Sequence, residues 1–467
     1  MVEIALEMIR KLLIALTLVA VSGILFEDLL SFGEGPIQTS VVLSFYVYCL
    51  LSLFYRTKHR LFHVLSIPIL TQFLHLFQKY SFAAGANSLW RLLPFVLLDI
   101  YFLNFLFTKN FRLSPREKLF ITCWIVFNLG FMIISPNLEN ILLGGPLLYL
   151  VTLPMYFLYL QNAFSAKDFT LEIEKYFFLL YLILGVGTFG LVITGAAYKG
   201  SDNLLVTRNI SDTNVTMAYF ILLWPLALLF ARRCQAALPI ILGLVAIFSG
   251  IVIFSFSRGA VFIIIPYLLI SISLVFKAKN IRWLAFISYI ILLLIPGSGI
   301  SFTDSTLAYS WNLRFGDFQS INNLVQKLQL ASGRDEIHAT AYQLFLENPV
   351  FGHGIGSFEI LGPGYREAHS LWYTLLAEQG LLGLLLIYPL FAFLAMCFLK
   401  AIYVDKLYLV LLLSLCFYLL FIHTVGSVFV IIPAKSLTIN CIAPILLLCL
   451  YFYCKSVTIK SEHENGR

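Results

Sequence analysis

Residues 372–397 read WYTLLAEQGLLGLLLIYPLFAFLAMC, a run in which Glu378 is the one charged side chain. A helix needs about 20 mostly apolar residues to cross a bilayer, so this run is long enough to span a membrane. The whole chain shares this character, because 60% of its 467 residues are hydrophobic and 12% are charged. Soluble domains are about 25% charged. The composition excludes a water-soluble enzyme, a secreted disulfide-bonded domain and a disordered chain, and it predicts an all-α polytopic membrane protein.

Hydropathy divides the chain into fourteen candidate spans, which predicts about 12–14 transmembrane helices because several spans are short or interrupted by Pro and Gly. The first run lacks a small-residue cleavage site after it, so we interpret it as a retained anchor. The candidate spans are residues 12–26, 37–55, 61–78, 92–108, 119–135, 142–160, 176–197, 215–231, 237–256, 259–276, 283–297, 372–397, 407–424 and 437–454.

The distribution of basic residues predicts the orientation. Short cytoplasmic loops of membrane proteins are enriched in Lys and Arg. With the N-terminus placed inside, the alternating inside segments hold 21 of the 31 Lys and Arg residues. We therefore expect both termini in the cytoplasm. The net charge of +7 then reports topology and does not indicate binding to nucleic acid.

One long polar segment interrupts the spans, and the chain ends in a short polar tail, so we divide the chain into four parts. We expect a bundle of about eleven spans over residues 1–297, an outside loop over 298–371, C-terminal spans over 372–454 and a tail over 455–467. A long folded loop in an otherwise short-looped protein is a common place for a functional site.

The outside loop contains a predicted helix over 333–347, GRDEIHATAYQLFLE. Apolar residues recur in it at helical spacing, and Pro349 ends it because the residue before a proline disfavours helical backbone. Glycines at 352, 354 and 356 then predict a turn-rich segment, after which the next span begins near residue 370.

Two arginines on the outside face are candidate phosphate ligands. Arg258 lies in Ser257-Arg258-Gly259 between two spans, and an arginine this close to hydrocarbon is costly and often functional. Arg208, after the seventh span, lies on the same predicted face. Because paired guanidinium donors match phosphate oxygens, the two could hold a diphosphate. The alternatives are snorkelling to the interface for Arg258 and a solvated loop cation for Arg208.

His369 closes the outside loop and is the candidate proton acceptor. Imidazole titrates near neutral pH, so it can take a proton from an attacking hydroxyl. Glu367 could orient the ring, although residues two apart do not face each other on a helix. Arg334 begins the loop helix and is either a further substrate ligand or a surface residue paired with Asp335 or Glu336. The other seven histidines are interpreted as core or interfacial polar residues.

The sequence indicates neither a metal site nor a cofactor. The eight cysteines lie in or beside spans without a CxxC pair, and no DxD pair or HExxH motif is present. A thiolate metal site and a metal-dependent glycosyl transfer are therefore not indicated. No glycine-rich phosphate loop follows a strand. Glu27 and Asp28, an acidic pair in the first outside loop, are more simply explained as a solvated rim.

Motifs in residues 257–383 resemble those of a known family. His369-Ser370, nine residues, Gly380, two residues and Gly383 resemble the His-(Asn/Ser/Gln)-x9-Gly-x-x-Gly motif of the O-antigen ligase and polymerase superfamily. Residues 332–358, with their Gly-Arg start and their Asn-Pro and Gly-x-Gly-x-x-x-Phe ending, resemble the loop of the same family. Residues 257–259 resemble its Ser-Arg-Gly element.

The resemblance implies a GT-C-like fold and a glycosyltransferase of the bacterial inner membrane. The donor would be a polyprenyl-diphosphate-linked glycan, transferred to an acceptor hydroxyl on the periplasmic face without a metal or cofactor. His369 would be the base or an orienting residue, and Arg258, together with Arg208, would bind the diphosphate. The acceptor would be lipid A-core for a ligase or a second lipid-linked repeat unit for a polymerase, and the sequence leaves this choice open.

A transporter or flippase is the alternative from a different class of membrane protein. Such proteins carry ionisable residues in the middle of their spans, along the transport path. Here the mid-span regions hold few, chiefly Asp99 and His75, whereas the candidate residues share one face. This distribution favours an enzyme site on one side of the membrane.

Overall fold

A computed structural model gives the architecture of the protein. It describes residues 36–55, 59–73, 89–108, 113–142, 144–166, 170–193, 213–234, 243–245, 247–249, 258–276, 334–364, 367–427, 429 and 441–465.

The described part of the chain is helical and contains no β-strand. A π-helix at Pro146–Thr152 leads directly into α6, and a short 3-10 helix at Lys406–Tyr408 precedes α13. The α-helices are α1 (Pro36–Phe54), α2 (Arg60–Phe73), α3 (Leu89–Thr108), α4 (Pro115–Ile133), α5 (Leu138–Leu142), α6 (Leu153–Ala166), α7 (Thr170–Ile193), α8 (Thr213–Arg233), α9 (Arg258–Val275), α10 (Arg334–Glu347), α11 (Phe358–Leu361), α12 (Leu371–Val404), α13 (Leu409–Thr424) and α14 (Ile442–Asn465).

Among the residues that the structure describes, four helical stretches are long and apolar enough to cross a bilayer. They are Pro146–Phe164, Leu371–Val404, Lys406–Thr424 and Ile442–Ser461. Shorter apolar helices lie within α1, α2, α3 and α9. The protein is therefore an all-α polytopic membrane protein, which confirms the class predicted from the composition.

Eleven of the fourteen predicted spans overlap a helix of the structure. The predicted spans at 12–26 and 283–297 lie outside the described residues, and the span at 237–256 lies mostly outside them. At the C-terminus, α14 continues without a break into the predicted tail and ends at Asn465.

Helix α8 lies at the centre of the bundle. Its side chains from Met217 to Leu229 are buried on every face, as expected of a helix that is apolar all round. The Tyr267 hydroxyl of α9 and the Ser414 hydroxyl of α13 both donate to the carbonyl of Ile221, at 3.0 and 2.7 Å. Two neighbouring helices are thus fixed to one turn of α8.

An ion pair between an exposed arginine and a buried glutamate marks one end of the bundle, which we call the basic end. Arg233 Nε lies 3.0 Å from Oε2 of Glu174, and Arg233 Nη2 donates to the Tyr408 hydroxyl at 2.9 Å. Tyr408 follows the end of α12 at Val404. The start of α12 at Leu371 therefore lies at the opposite end, which we call the site end.

The start of α9 and the end of α13 also lie at the site end. Arg232, beside the basic-end ion pair, covers the ring of Phe276 just after α9, so α9 runs from the site end at Arg258 to the basic end. Helix α13 starts after Tyr408 at the basic end and finishes at Thr424.

Helix α12 is 34 residues long and is broken at Gly380, where φ is 60° and ψ is −155°. At about 1.5 Å per residue it would measure about 51 Å, whereas the hydrocarbon core is about 30 Å thick. The segment after the break, residues 381–404, measures about 36 Å on the same basis and is long enough to span. A span formed by residues 381–404 would place the break near the membrane boundary at the site end.

Candidate active site

The loop after α10 pairs with the broken part of α12 through backbone hydrogen bonds. The N–H groups of residues 353–354 donate to the carbonyls of 377–378, at 3.1 and 2.7 Å. The N–H groups of residues 381–382 donate to the carbonyls of 349–350, at 2.9 and 3.2 Å. A broken helix frees backbone groups that need partners near a membrane, and the loop supplies these partners on both sides of the break.

Glycines are required where the two backbones meet. Gly380 has a positive φ of 60°, and a Cβ there would lie 2.6 Å from the Val350 carbonyl. Gly352 has a φ of 64°, and its Cβ would lie 2.4 Å from the carbonyl carbon of Glu378. A side chain disfavours positive φ, so both positions need glycine for conformation and for space. At Gly383, a Cβ would lie 2.3 Å from the Cβ of Gln379.

The loop is also fastened to the end of α4. Ile355 N donates to Phe131 O at 2.9 Å, and the Ser135 hydroxyl donates to Ile355 O at 2.6 Å. Asn137 Nδ2 donates to Gly356 O at 3.0 Å. The glycine-rich segment is thus held from two directions, by α12 and by α4.

A buried carboxylate of α12 supports the same loop. Glu378 is 2% exposed, and its side chain accepts hydrogen bonds from the backbone N–H groups of Gly356 and Phe358. Local sequence pattern gives this residue no role beyond being the one ionisable side chain in the 372–397 run. The structure indicates that Glu378 positions the loop.

His369 has a left-handed backbone with φ 52°, the one positive φ among the described non-glycine residues. Its Nδ1 atom lies 3.5 Å from Oε1 of Glu367. The Glu367 side chain is 3% exposed and that of His369 is 27% exposed. Non-glycine residues with positive φ are uncommon and persist where their surroundings hold them. The two residues precede α12, so the helical spacing rule that argued against their pairing does not apply.

The turn after α13 holds the carboxylate of Glu367. Ser427 N donates to Glu367 Oε2 at 2.8 Å, and the Ser427 and Thr374 hydroxyls are 2.8 Å apart. One oxygen of the carboxylate is thus bound by this turn and the other lies next to His369. The Glu367–His369 pair is therefore held by a turn that lies sixty residues after Glu367 in the chain.

Arg334 lies beside the same turn. Its Nη1 donates to the carbonyl of Thr424. Burial lowers the pKa of Arg334, and the negative charge of Glu367 opposes this effect. A guanidinium stays charged in proteins and offers five N–H donors. The site therefore combines a cation, a buried carboxylate and an imidazole.

His338 belongs to the surroundings of this group, which the sequence analysis did not predict. Its ring stacks on Tyr373 with centroids 4.2 Å apart and planes at 13°. Burial lowers the pKa of His338, a hydrogen bond to the Ala368 backbone opposes this, and the charge of Arg334 lowers the pKa further. The sequence feature that could have indicated this role is the four-residue spacing of Arg334 and His338, which places both side chains on one face of the predicted helix.

The other predicted site residues are less fully described. Arg258 is the first residue of α9, so its backbone lies at the site end with Arg334 and His369. Arg208 lies outside the described residues, as do Glu27 and Asp28.

No cluster in the described ranges has the composition of a metal site. These residues include no group of three or more His, Cys, Asp or Glu side chains that could hold a metal ion. The expectation of a metal-independent reaction remains a prediction.

Comparison with protein-family models matches residues 242–388 to the family described as O-antigen ligase. The matched region contains Arg258, Arg334, His369 and the break at Gly380. No curated protein and no solved structure matches the chain. The family supports a lipid-linked glycan transferase as the general class of enzyme. Residues 242–388, about a third of the chain, are thus similar to the O-antigen ligase family, in agreement with the resemblance of the sequence motifs.

Proposed function

We propose that the protein transfers a polyprenyl-diphosphate-linked glycan to an acceptor hydroxyl at the periplasmic face of the bacterial inner membrane. The observation that carries this proposal is the group formed by Arg334, Glu367 and His369 at the site end. All three residues lie inside the region that matches the O-antigen ligase family.

This group supplies the acid–base chemistry that the transfer needs. His369 takes the proton of the acceptor hydroxyl while the hydroxyl oxygen bonds to the anomeric carbon of the donor. The bond from that carbon to the diphosphate oxygen breaks, and polyprenyl diphosphate leaves with the electron pair. Glu367, 3.5 Å from Nδ1, orients the ring and stabilises the imidazolium that forms. Because the leaving group is already activated, we expect the transfer to need neither a metal nor a cofactor.

The arginines bind the diphosphate and stabilise its developing charge. Arg258 begins α9 at the site end, where the helix N-terminus adds the positive end of its dipole. Arg334 supplies a second guanidinium next to the His369–Glu367 pair. Arg208 is the third candidate ligand, from the sequence.

The distribution of charge supports a periplasmic site with both termini in the cytoplasm. Basic residues lie at the basic end of the bundle, as expected of a cytoplasmic side. They include Arg232, Arg233, Lys400 and Lys406. The candidate catalytic group lies at the opposite end.

The acceptor separates two versions of this function. We favour an O-antigen-ligase-like reaction, with lipid A-core as acceptor, because the matching family model carries that description. A repeat-unit polymerase, whose acceptor is a second lipid-linked glycan, uses the same donor chemistry.

The test is a transfer assay with purified protein in lipid. The lipid-linked donor is incubated with lipid A-core in one reaction and with a second lipid-linked repeat unit in another, and product size is measured. A single addition to lipid A-core supports the ligase, and stepwise chain growth supports the polymerase. Donor left intact with both acceptors contradicts the proposal.

A further inference from the structure

Helix α10 has one buried face and two exposed flanks. The buried face packs against the start of α12 and against α11, through Ile337, Ala341, Leu344, Phe358 and Ala377. This packing fixes which sides of the helix remain uncovered.

The two exposed flanks differ in polarity. The polar flank consists of the exposed residues Glu336, Gln343 and Glu347. On the other side the first turn carries the exposed Asp335, so the apolar surface is confined to the second half of the helix. We define the apolar flank as Tyr342 and Leu346 of α10 with Val350 and Phe351 of the following loop. These four side chains are between 46% and 59% exposed. A contiguous exposed group of large apolar side chains is unusual on a surface that faces water.

The apolar flank adjoins the spanning segment of α12. The carbonyls of residues 349–350 accept hydrogen bonds from the N–H groups of 381–382, so the loop and the start of this segment are side by side. On that segment Leu381 and Leu385 are 47% and 68% exposed, as expected of residues that face lipid. The flank therefore continues the lipid-facing surface of a transmembrane helix.

We propose that the apolar flank is immersed in the bilayer at the site end, so that α10 is an interfacial helix and not a helix of a water-exposed loop. The helix lies with its polar flank toward water and its buried face on α12.

Three features point to lipid and not to a soluble partner protein. The break at Gly380 lies near the membrane boundary by the length of α12, and the loop that bonds to it lies at the same depth. In the second half of α10 one exposed side is apolar and the other is polar, so the apolar side can face lipid while the polar side faces water. Tyr342 suits this depth because tyrosine has an apolar ring and a polar tip.

The immersion would place the catalytic group close to the lipid surface. Arg334 is the first residue of α10, and a helix of 14 residues is about 21 Å long. If the proposed function holds, a diphosphate carried on a polyprenyl tail could reach Arg334 without leaving the interface. The immersion itself does not depend on that function.

The experiment uses the unmodified protein in liposomes that contain phospholipid with a diazirine in its acyl chain. Irradiation attaches the lipid probe to protein side chains that contact the acyl chain. Proteolysis and mass spectrometry then map the adducts. We expect adducts on the apolar flank as frequent as those on Leu385, and none on Gln343. Adducts on Leu385 without adducts on Tyr342, Leu346, Val350 and Phe351 would overturn the proposal. They would indicate that a soluble partner protein covers the flank.

A pair of variants sharpens the result, because both substituted positions are exposed and tolerate a polar side chain in the fold. Leu346→Asp introduces a carboxylate into the apolar flank, and Gln343→Asp introduces one into the polar flank. Burying a carboxylate in hydrocarbon is costly, so Leu346→Asp should lower the midpoint of thermal unfolding in liposomes more than Gln343→Asp does. Equal midpoints of the two variants would contradict immersion. Transfer activity is not the readout, so the outcome is distinct from failure of the proposed function.

Discussion

Oε1 of Glu367 lies 3.5 Å from Nδ1 of His369, although the two residues are separated by one position in the chain. The contact depends on the left-handed backbone of His369 and on the Ser427 amide that holds the other carboxylate oxygen. A buried carboxylate beside an imidazole is an arrangement that orients a proton acceptor.

Replacing the imidazole should remove the proton acceptor. We expect His369→Ala to lower the turnover number for glycan transfer by about 10²–10⁴-fold, with normal membrane insertion. The matched control is His463→Ala, because His463 lies near the end of α14 and belongs to no part of the site. Wild-type turnover in His369→Ala would rule out its assigned role.

Neutralising the neighbouring carboxylate should reduce turnover while substrate binding is kept. In Glu367→Gln an oxygen remains to accept the hydrogen bond from Ser427, but the charge that stabilises the imidazolium is lost. We expect kcat to fall by at least about tenfold with KM unchanged. Glu336→Gln, at an exposed position of α10, should leave both constants unchanged. A rise in KM alone would show that Glu367 acts in binding.

A lysine at the start of α9 should not perform the function of Arg258. Lys keeps the charge of Arg258 but loses the planar fork that binds two phosphate oxygens. We therefore expect Arg258→Lys to reduce transfer nearly as much as Arg258→Ala, whereas Arg232→Lys at the basic end should retain activity. Full activity of Arg258→Lys would favour simple snorkelling at the interface.

The motif glycine in the broken helix should be essential for stability. Gly380→Ala places a Cβ 2.6 Å from the backbone of Val350 at a positive φ, so we expect a loss of about 1–3 kcal/mol in the free energy of unfolding. Gly130→Ala in α4 is the control, since its Cβ meets nothing within 4 Å and alanine favours a helix. Thermal unfolding in detergent would compare the two variants, and equal midpoints would contradict the structural role of Gly380.

Chelation should leave transfer unchanged. The proposed reaction uses an activated leaving group, arginines and a histidine, so EDTA should not alter the initial rate with lipid-linked donor. A sharp loss of rate that added Mg²⁺ or Mn²⁺ restores would show that a metal ion takes part.

The sequence predicted the parts of the protein that depend on local pattern. Apolar runs identify the spans, and the helix predicted over 333–347 is α10, Arg334–Glu347. Pro349 ends that helix because its ring restricts the residue before it. The motif that contains His369 and Gly380 identified the family, as the match to residues 242–388 shows.

The surroundings of His369 could not be predicted from local pattern. Glu367 pairs with it because His369 adopts a rare backbone conformation, which no periodicity encodes. The backbone N–H of Ser427 lies 60 residues after Glu367, and the carbonyl of Thr424 lies 90 residues after Arg334. Both lie at the end of α13 or in the turn that follows it.

The sequence by itself thus determined that the chain is an all-α membrane protein, where the described apolar helices lie and which family its central region resembles. These properties follow from hydropathy and residue order, which act over one helix or one motif. Only the tertiary structure decided that Arg334, Glu367 and His369 form one group and that the loop after α10 completes a broken helix. Contacts between distant segments depend on how helices pack and on which backbone groups remain to be satisfied.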